Sequence, residues 1–91
     1  MTLRIESTAN DSETIFTLIG RITSRDVQQL KAEIAEAQPR VTLDLEQVSL
    51  IDLDAAHFFA EAEREGIHLR NLPSYVRAWI ILEKARAGEL D

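Results

Sequence analysis

The sequence predicts an α/β domain built on a four-stranded, mixed but mostly parallel sheet with three helices. Three observations carry this. After residue 20, helix-like and strand-like stretches alternate at close spacing, the pattern of right-handed crossovers into a parallel sheet. Before residue 20, two short β-type segments flank a turn cluster and read as an antiparallel hairpin. The strand-like segments are apolar on one face only, so successive crossovers of one hand should place the helices on one side of the sheet.

In order, residues 2–8 alternate Leu3 and Ile5 with Thr2, Arg4 and Glu6, the period of a half-buried strand. Asn10, Asp11 and Ser12 centre a turn. Residues 14–19, rich in β-branched and apolar side chains, form the second strand, and Gly20 is expected to end it. Thr23 or Ser24 caps the first helix, with Asp26 in its first turn. Val27, Leu30 and Ile34 share its core face, and Pro39 forbids continuation.

The third strand, residues 41–45, points Val41, Leu43 and Leu45 inward and turns Thr42 and Asp44 the other way. A loop over residues 46–50 then leads to the polar corner Asp52-Leu53-Asp54, which opens the second helix. Ala55, Phe58, Phe59 and Ala62 share its core face, His57, Glu61 and Arg64 lie opposite, and Gly66 terminates it. Residues 67–70 alternate as a fourth strand, with His68 on the non-core face. Asn71-Leu72-Pro73-Ser74 opens the last helix, and Gly88 ends it. Its core face is read as Val76, Trp79 and Ile80. Ile81 and Leu82 add more apolar surface than a lone surface helix requires. Either Trp79 and Ile81 pack under the hairpin or chain end, or Ile81 and Leu82 form a patch that buries against another protein or a second copy.

Ninety-one residues suit one domain. Ten basic residues, scattered singly, against sixteen acidic ones give a net charge of −6, which argues against nucleic acid as a partner. The absence of cysteine leaves neither a disulfide framework nor a thiolate metal site. The start shows no signal-peptide pattern, and the longest apolar run, residues 78–82, is too short for a bilayer. A soluble, cytoplasmic protein without membrane insertion is expected.

The dense cluster of reactive side chains is the corner at Asp52 and Asp54. One reading is structural: a helix cap followed by an acid matched to the helix dipole. A second is recognition, with one carboxylate projecting beside His57 on a rigid element. A third is catalytic, because residues 50–54 resemble the Asp-x-Asp nucleophile motif of haloacid-dehalogenase-type, Mg²⁺-dependent phosphatases. That chemistry needs a downstream hydroxyl, a lysine and further acids on a later strand. Lys84 is the one lysine in the 37 residues after Asp54, and no apolar strand ending in paired acids follows. Asp54, His57 and Glu61 could approach one helix face, but two carboxylates and one histidine are more simply a solvated face than a metal site. Neither a metal nor a cofactor is expected.

The run Val41-Thr-Leu-Asp-Leu-Glu-Gln-Val-Ser-Leu-Ile-Asp52, following a hairpin and a helix, resembles the STAS domain family of sulfate transporters and anti-sigma-factor antagonists. Asp44 and Asp52 match the family's two aspartates, and Val48 matches the link between them. Residues 72–77 are similar to the start of the last helix that family members share, and the chain lacks the further strand and helix of longer members. The resemblance implies a STAS-like fold and a non-enzymatic module that docks protein partners. In kinase-answering members the helix opens Asp-Ser-Ser-Gly and the second serine takes the phosphate. Here it opens Asp52-Leu53-Asp54-Ala55, so that position falls on Asp54. An aspartate carries one fixed charge where phosphoserine carries about 1.5 to 2. The resemblance thus implies a partner-binding corner of Asp52, Leu53, Asp54 and His57 with Gln47 and Ser49 beside it, facing an anti-sigma factor or kinase-like protein. Alternatively, the chain would serve as an accessory subunit on the ATPase of an ABC-type lipid or anion transporter.

Overall fold

The structure, a computed structural model, describes residues 3–37 and 40–86. Its elements run β1 (Arg4–Ala9), β2 (Thr14–Ile22), α1 (Ser24–Ala35), β3 (Val41–Ile51), α2 (Leu53–Arg64), β4 (His68–Arg70) and α3 (Ser74–Arg86). The sheet order is β1-β2-β3-β4, with β1 antiparallel to β2 and the remaining pairs parallel. The expected mixed sheet with three helices is therefore what forms. Thr2, the stop at Pro39 and the end at Gly88 lie outside the described residues.

One hydrophobic cluster gathers residues from β2, β3 and β4 and all three helices. Phe16 and Leu18 of β2 and Leu43 and Leu45 of β3 meet Leu30 of α1, Phe59 of α2, and Val76 and Ile80 of α3. Period-two alternation delivers the strand residues to one face, and the helical stripes close over them. Thr42 and Asp44 do point to the opposite face, yet both are buried. β3 is an inner strand, so Ile15 and Thr17 on one side and His68 and Arg70 on the other flank them.

Two expectations about the strands need correction. Gly20 does not end β2, which continues to Ile22, and residues 46–50 are not a loop but the continuation of β3. The β2–β3 register shifts between Thr17 and Ile19 and again between Gly20 and Arg21. Gly20 sits at φ 101°, a conformation costly for side-chain-bearing residues, so glycine here permits a bulge that keeps the strands paired. Both strands consequently reach the same end of the sheet, where the Asp52 N–H donates to the Ile22 carbonyl at 3.2 Å.

The core face of α3 also differs from expectation. Its buried positions are Val76, Ile80 and Glu83, whereas Trp79 is 40% exposed, Ile81 49% and Leu82 59%. Trp79 and Ile81 are thus not buried as the packed reading expected, and the chain ends lie outside the described residues.

Candidate functional site

α1 and α2 both begin where β2 and β3 end, and Asp52 ties the two starts together. One carboxylate oxygen accepts from the Ala55 N–H at 2.9 Å, capping α2. The other accepts from the Ser24 N–H at 2.9 Å, at the first residue of α1. A single carboxylate therefore satisfies orphan donors of two helices where both dipoles favour negative charge. Thr23 is the N-cap of α1, and Asp26 reaches back to accept from the Thr23 N–H at 2.8 Å.

With Asp52 turned inward, the next two side chains are displayed. Leu53 is 44% exposed, an apolar side chain at a helix tip, and Asp54 is exposed beside it. Both Asp52 oxygens are engaged by backbone amides. His57, one turn on, faces solvent on one side. Its Nδ1 lies 3.2 Å from Glu83 Oε1 of α3, and its Nε2 lies 3.4 Å from Glu61. Its partners are thus Glu61 and Glu83 rather than Asp54. Glu83 tolerates burial because the Arg86 guanidinium also donates to it at 3.1 Å. Among the described residues, no group of three His, Asp or Glu side chains is arranged to hold a metal ion.

Asp54 and His57 open onto a groove of about 730 Å³ between α1 and α2. Val27, Ile34, Phe58, Ala62 and Ile67 supply its apolar walls. Gln47 and Ser49 do not line it. They are exposed on β3 on either side of buried Val48, and no hydrogen bond joins them to the α2 tip among the described residues. The structure thus brings Asp52, Leu53, Asp54 and His57 onto one helix start and leaves Gln47 and Ser49 on the sheet.

Three sets of contacts that sequence reasoning missed brace the fold around this site. Asp44 accepts from Arg70 Nε at 3.2 Å, Asn71 Nδ2 at 3.3 Å and the Glu46 N–H at 3.1 Å. Burial pushes the Asp44 carboxyl up, but these hydrogen bonds and the Arg70 charge outweigh it and hold the group below its ordinary value. Asn71 makes its contact from a left-handed backbone, φ 58°, which asparagine tolerates. Glu63 clamps α2 to α3, accepting from both Arg77 guanidinium nitrogens at 3.2 Å and from Lys84 at 2.8 Å. The Arg77 bonds, with Lys84, lower its pKa against the opposing effect of burial. The Tyr75 hydroxyl donates to the Val48 carbonyl at 3.1 Å, fixing α3 to the extended end of β3, and burial raises its pKa. The polar residues at alternate turns of α2 and α3 were legible as helical faces, but which faces meet is a tertiary fact.

The sequence matches no family model and no curated protein. The fold, however, is shared with solved structures. An antisigma-factor antagonist STAS domain from Rhodobacter sphaeroides superposes with a TM-score of 0.55 and 21% identity, covering 74% of this chain and 82% of that one. The anti-sigma factor antagonist SpoIIAA in its unphosphorylated form superposes with a TM-score of 0.63 and 17% identity, covering 97% of this chain and 82% of that one. No helix among the described residues is long and apolar enough to cross a membrane. Strand order, pairing and helix placement therefore give this chain a STAS-like fold.

Proposed function

We propose that this chain is a non-enzymatic protein-interaction module of the anti-sigma-factor-antagonist kind, docking a regulatory partner through the tip of α2. The observation that carries the reading is the division of labour at the corner. Asp52 is consumed in capping two helices, while Leu53 and Asp54 stand exposed on a rigid helical start. An exposed leucine beside a fixed charge, next to a groove, offers an apolar anchor and an orienting carboxylate. Asp54 holds the charge permanently, so docking here is set constitutively or regulated at another position. Gln47 and Ser49, exposed on β3, are proposed as outer contacts of the same partner.

Affinity capture from the native host, followed by titration of the captured partner, tests this. Leu53→Asp and Asp54→Lys should each weaken binding by about tenfold or more, the effect of losing an interface anchor. Undiminished affinity in both variants would reject the site.

The outer face of α3 favours a second reading. Trp79, Ile81 and Leu82 expose more apolar surface than a freely diffusing module needs. This suits an accessory subunit held in a larger assembly such as an ABC-type transporter ATPase. Capture of an ATPase in place of a kinase-like anti-sigma factor would select this reading.

A further inference from the structure

We infer that the groove between α1 and α2 receives a basic amphipathic helix of the partner protein. The inference rests on the docking reading above and specifies the chemistry of the segment that lies beside the α2 tip.

The groove is built by two helical stripes. On α1 they are Ser24, Gln28, Lys31 and Ala35; on α2 they are Asp54, Glu61 and Glu65, with the apolar residues between. Positions 24 to 35 span about 16 Å at 1.5 Å per residue, the length of three helical turns. An extended strand of that length would need backbone pairing, and helices offer none; a helix satisfies its own backbone and needs only an apolar stripe.

Charge selects the sign of the occupant. The α2 rim carries Asp54, Glu61 and Glu65 against one cation, Lys31, on the α1 rim. His57 and Arg64 lie near Glu61, the latter at 3.4 Å, so Glu61 is partly compensated, whereas Asp54 and Glu65 are exposed at the two ends. α1 has no basic residue in its last turn, and its C-terminal carbonyls add partial negative charge at the Glu65 end. A helix with an apolar stripe flanked by Lys or Arg matches this groove along its length, and its cations should cluster toward Glu65. The chain's net charge of −6 steers such a segment in and repels an acidic one.

The test uses the full chain and three labelled peptides of about 15 residues, long enough for a marginal helix. One has a leucine stripe with lysine flanks, the second the same stripe with glutamate flanks, and the third the first composition scrambled. The inference expects fluorescence anisotropy to show binding by the lysine-flanked peptide alone, weakening as salt is raised. It also expects amide shift changes at Ser24, Gln28, Lys31, Glu61 and Glu65. Ala35→Trp, which fills the groove from an exposed position, and Glu65→Lys should each weaken that binding by about tenfold or more. Circular dichroism checks that both variants are folded. Equal binding by the scrambled or glutamate-flanked peptide, shifts confined to the Trp79–Leu82 face, or no binding would each overturn the inference. The docking reading is judged separately, by the captured partner's response to Leu53→Asp and Asp54→Lys. If those variants lose the partner while Ala35→Trp and Glu65→Lys retain it, the groove inference falls alone.

Discussion

Replacing Asp52 by alanine separates the structural role of the corner from its proposed recognition role. The side chain accepts from Ala55 N–H and Ser24 N–H, each at 2.9 Å. Loss of an N-cap side chain costs about 0.5–2 kcal/mol. A hydrogen bond to a charged acceptor contributes about 1.5–3 kcal/mol, and the low end applies at Ser24, which is exposed. Asp52→Ala should therefore destabilise the fold by about 2–3 kcal/mol, a large share of what a small domain has. At this size the melting temperature should fall by about 10–20 °C. Asp52→Asn keeps one acceptor oxygen and should lose roughly half as much. Asp54→Ala removes only an exposed first-turn charge and should cost less than about 1 kcal/mol. Urea and thermal unfolding followed by far-ultraviolet circular dichroism measure all three. Equal losses for Asp52→Ala and Asp54→Ala would refute the assignment of inward and outward roles, as would an Asp52→Ala change below about 0.5 kcal/mol.

Two further predictions concern the braces. Asp44 and Glu63 have lowered pKa values in the fold, so each contributes stability that is present above its unfolded value and is lost as pH falls through the folded one. The urea midpoint should decline as pH drops below the ordinary carboxylate range, and the Asp44→Asn, Glu63→Gln double variant should be weaker at neutral pH with a flatter acid limb. An unchanged acid slope in that variant would show that neither group is linked to folding. Tyr75→Phe removes the hydroxyl bond to the Val48 carbonyl and should cost about 0.5–1.5 kcal/mol, read as faster amide exchange at the end of β3. Unaltered exchange there would mean that α3 does not brace the strand.

Local rules were enough for most of the elements. α2 announces itself with a capping aspartate, an apolar stripe at helical spacing and Gly66, which takes φ 98° past the helix end. The length of β3 was hidden because Glu46 and Gln47 break the alternation, and strand pairing survives there only through bulges in β3, opposite Leu18 and Gly20, that no local pattern reveals. Trp79 misled because large apolar side chains usually lie inside, whereas α3 buries the stripe at Val76, Ile80 and Glu83. That a glutamate completes this stripe follows from His57 and Arg86, residues 26 positions before and three after it, and the distant partner is a matter of tertiary packing. The groove was equally invisible: its α1 side, Ser24, Gln28, Lys31 and Ala35, looks like any solvated helical edge until α2 is laid against it.

The contacts of the three aspartates bear directly on what the STAS resemblance transfers. Asp44 and Asp52, the two that match the family run, both turn inward. One pins β3 to the residues at the end of β4, and the other joins two helix starts. Residues held by such contacts are demanded by the architecture whatever the protein binds, so their match speaks for fold. The third, Asp54, departs from the family pattern and is displayed to solvent next to Leu53. Its surroundings make no structural demand for a carboxylate beyond a weak dipole preference. The architecture is thus encoded at Asp44 and Asp52, and the proposed docking is tested one and two residues beyond Asp52, at Leu53 and Asp54.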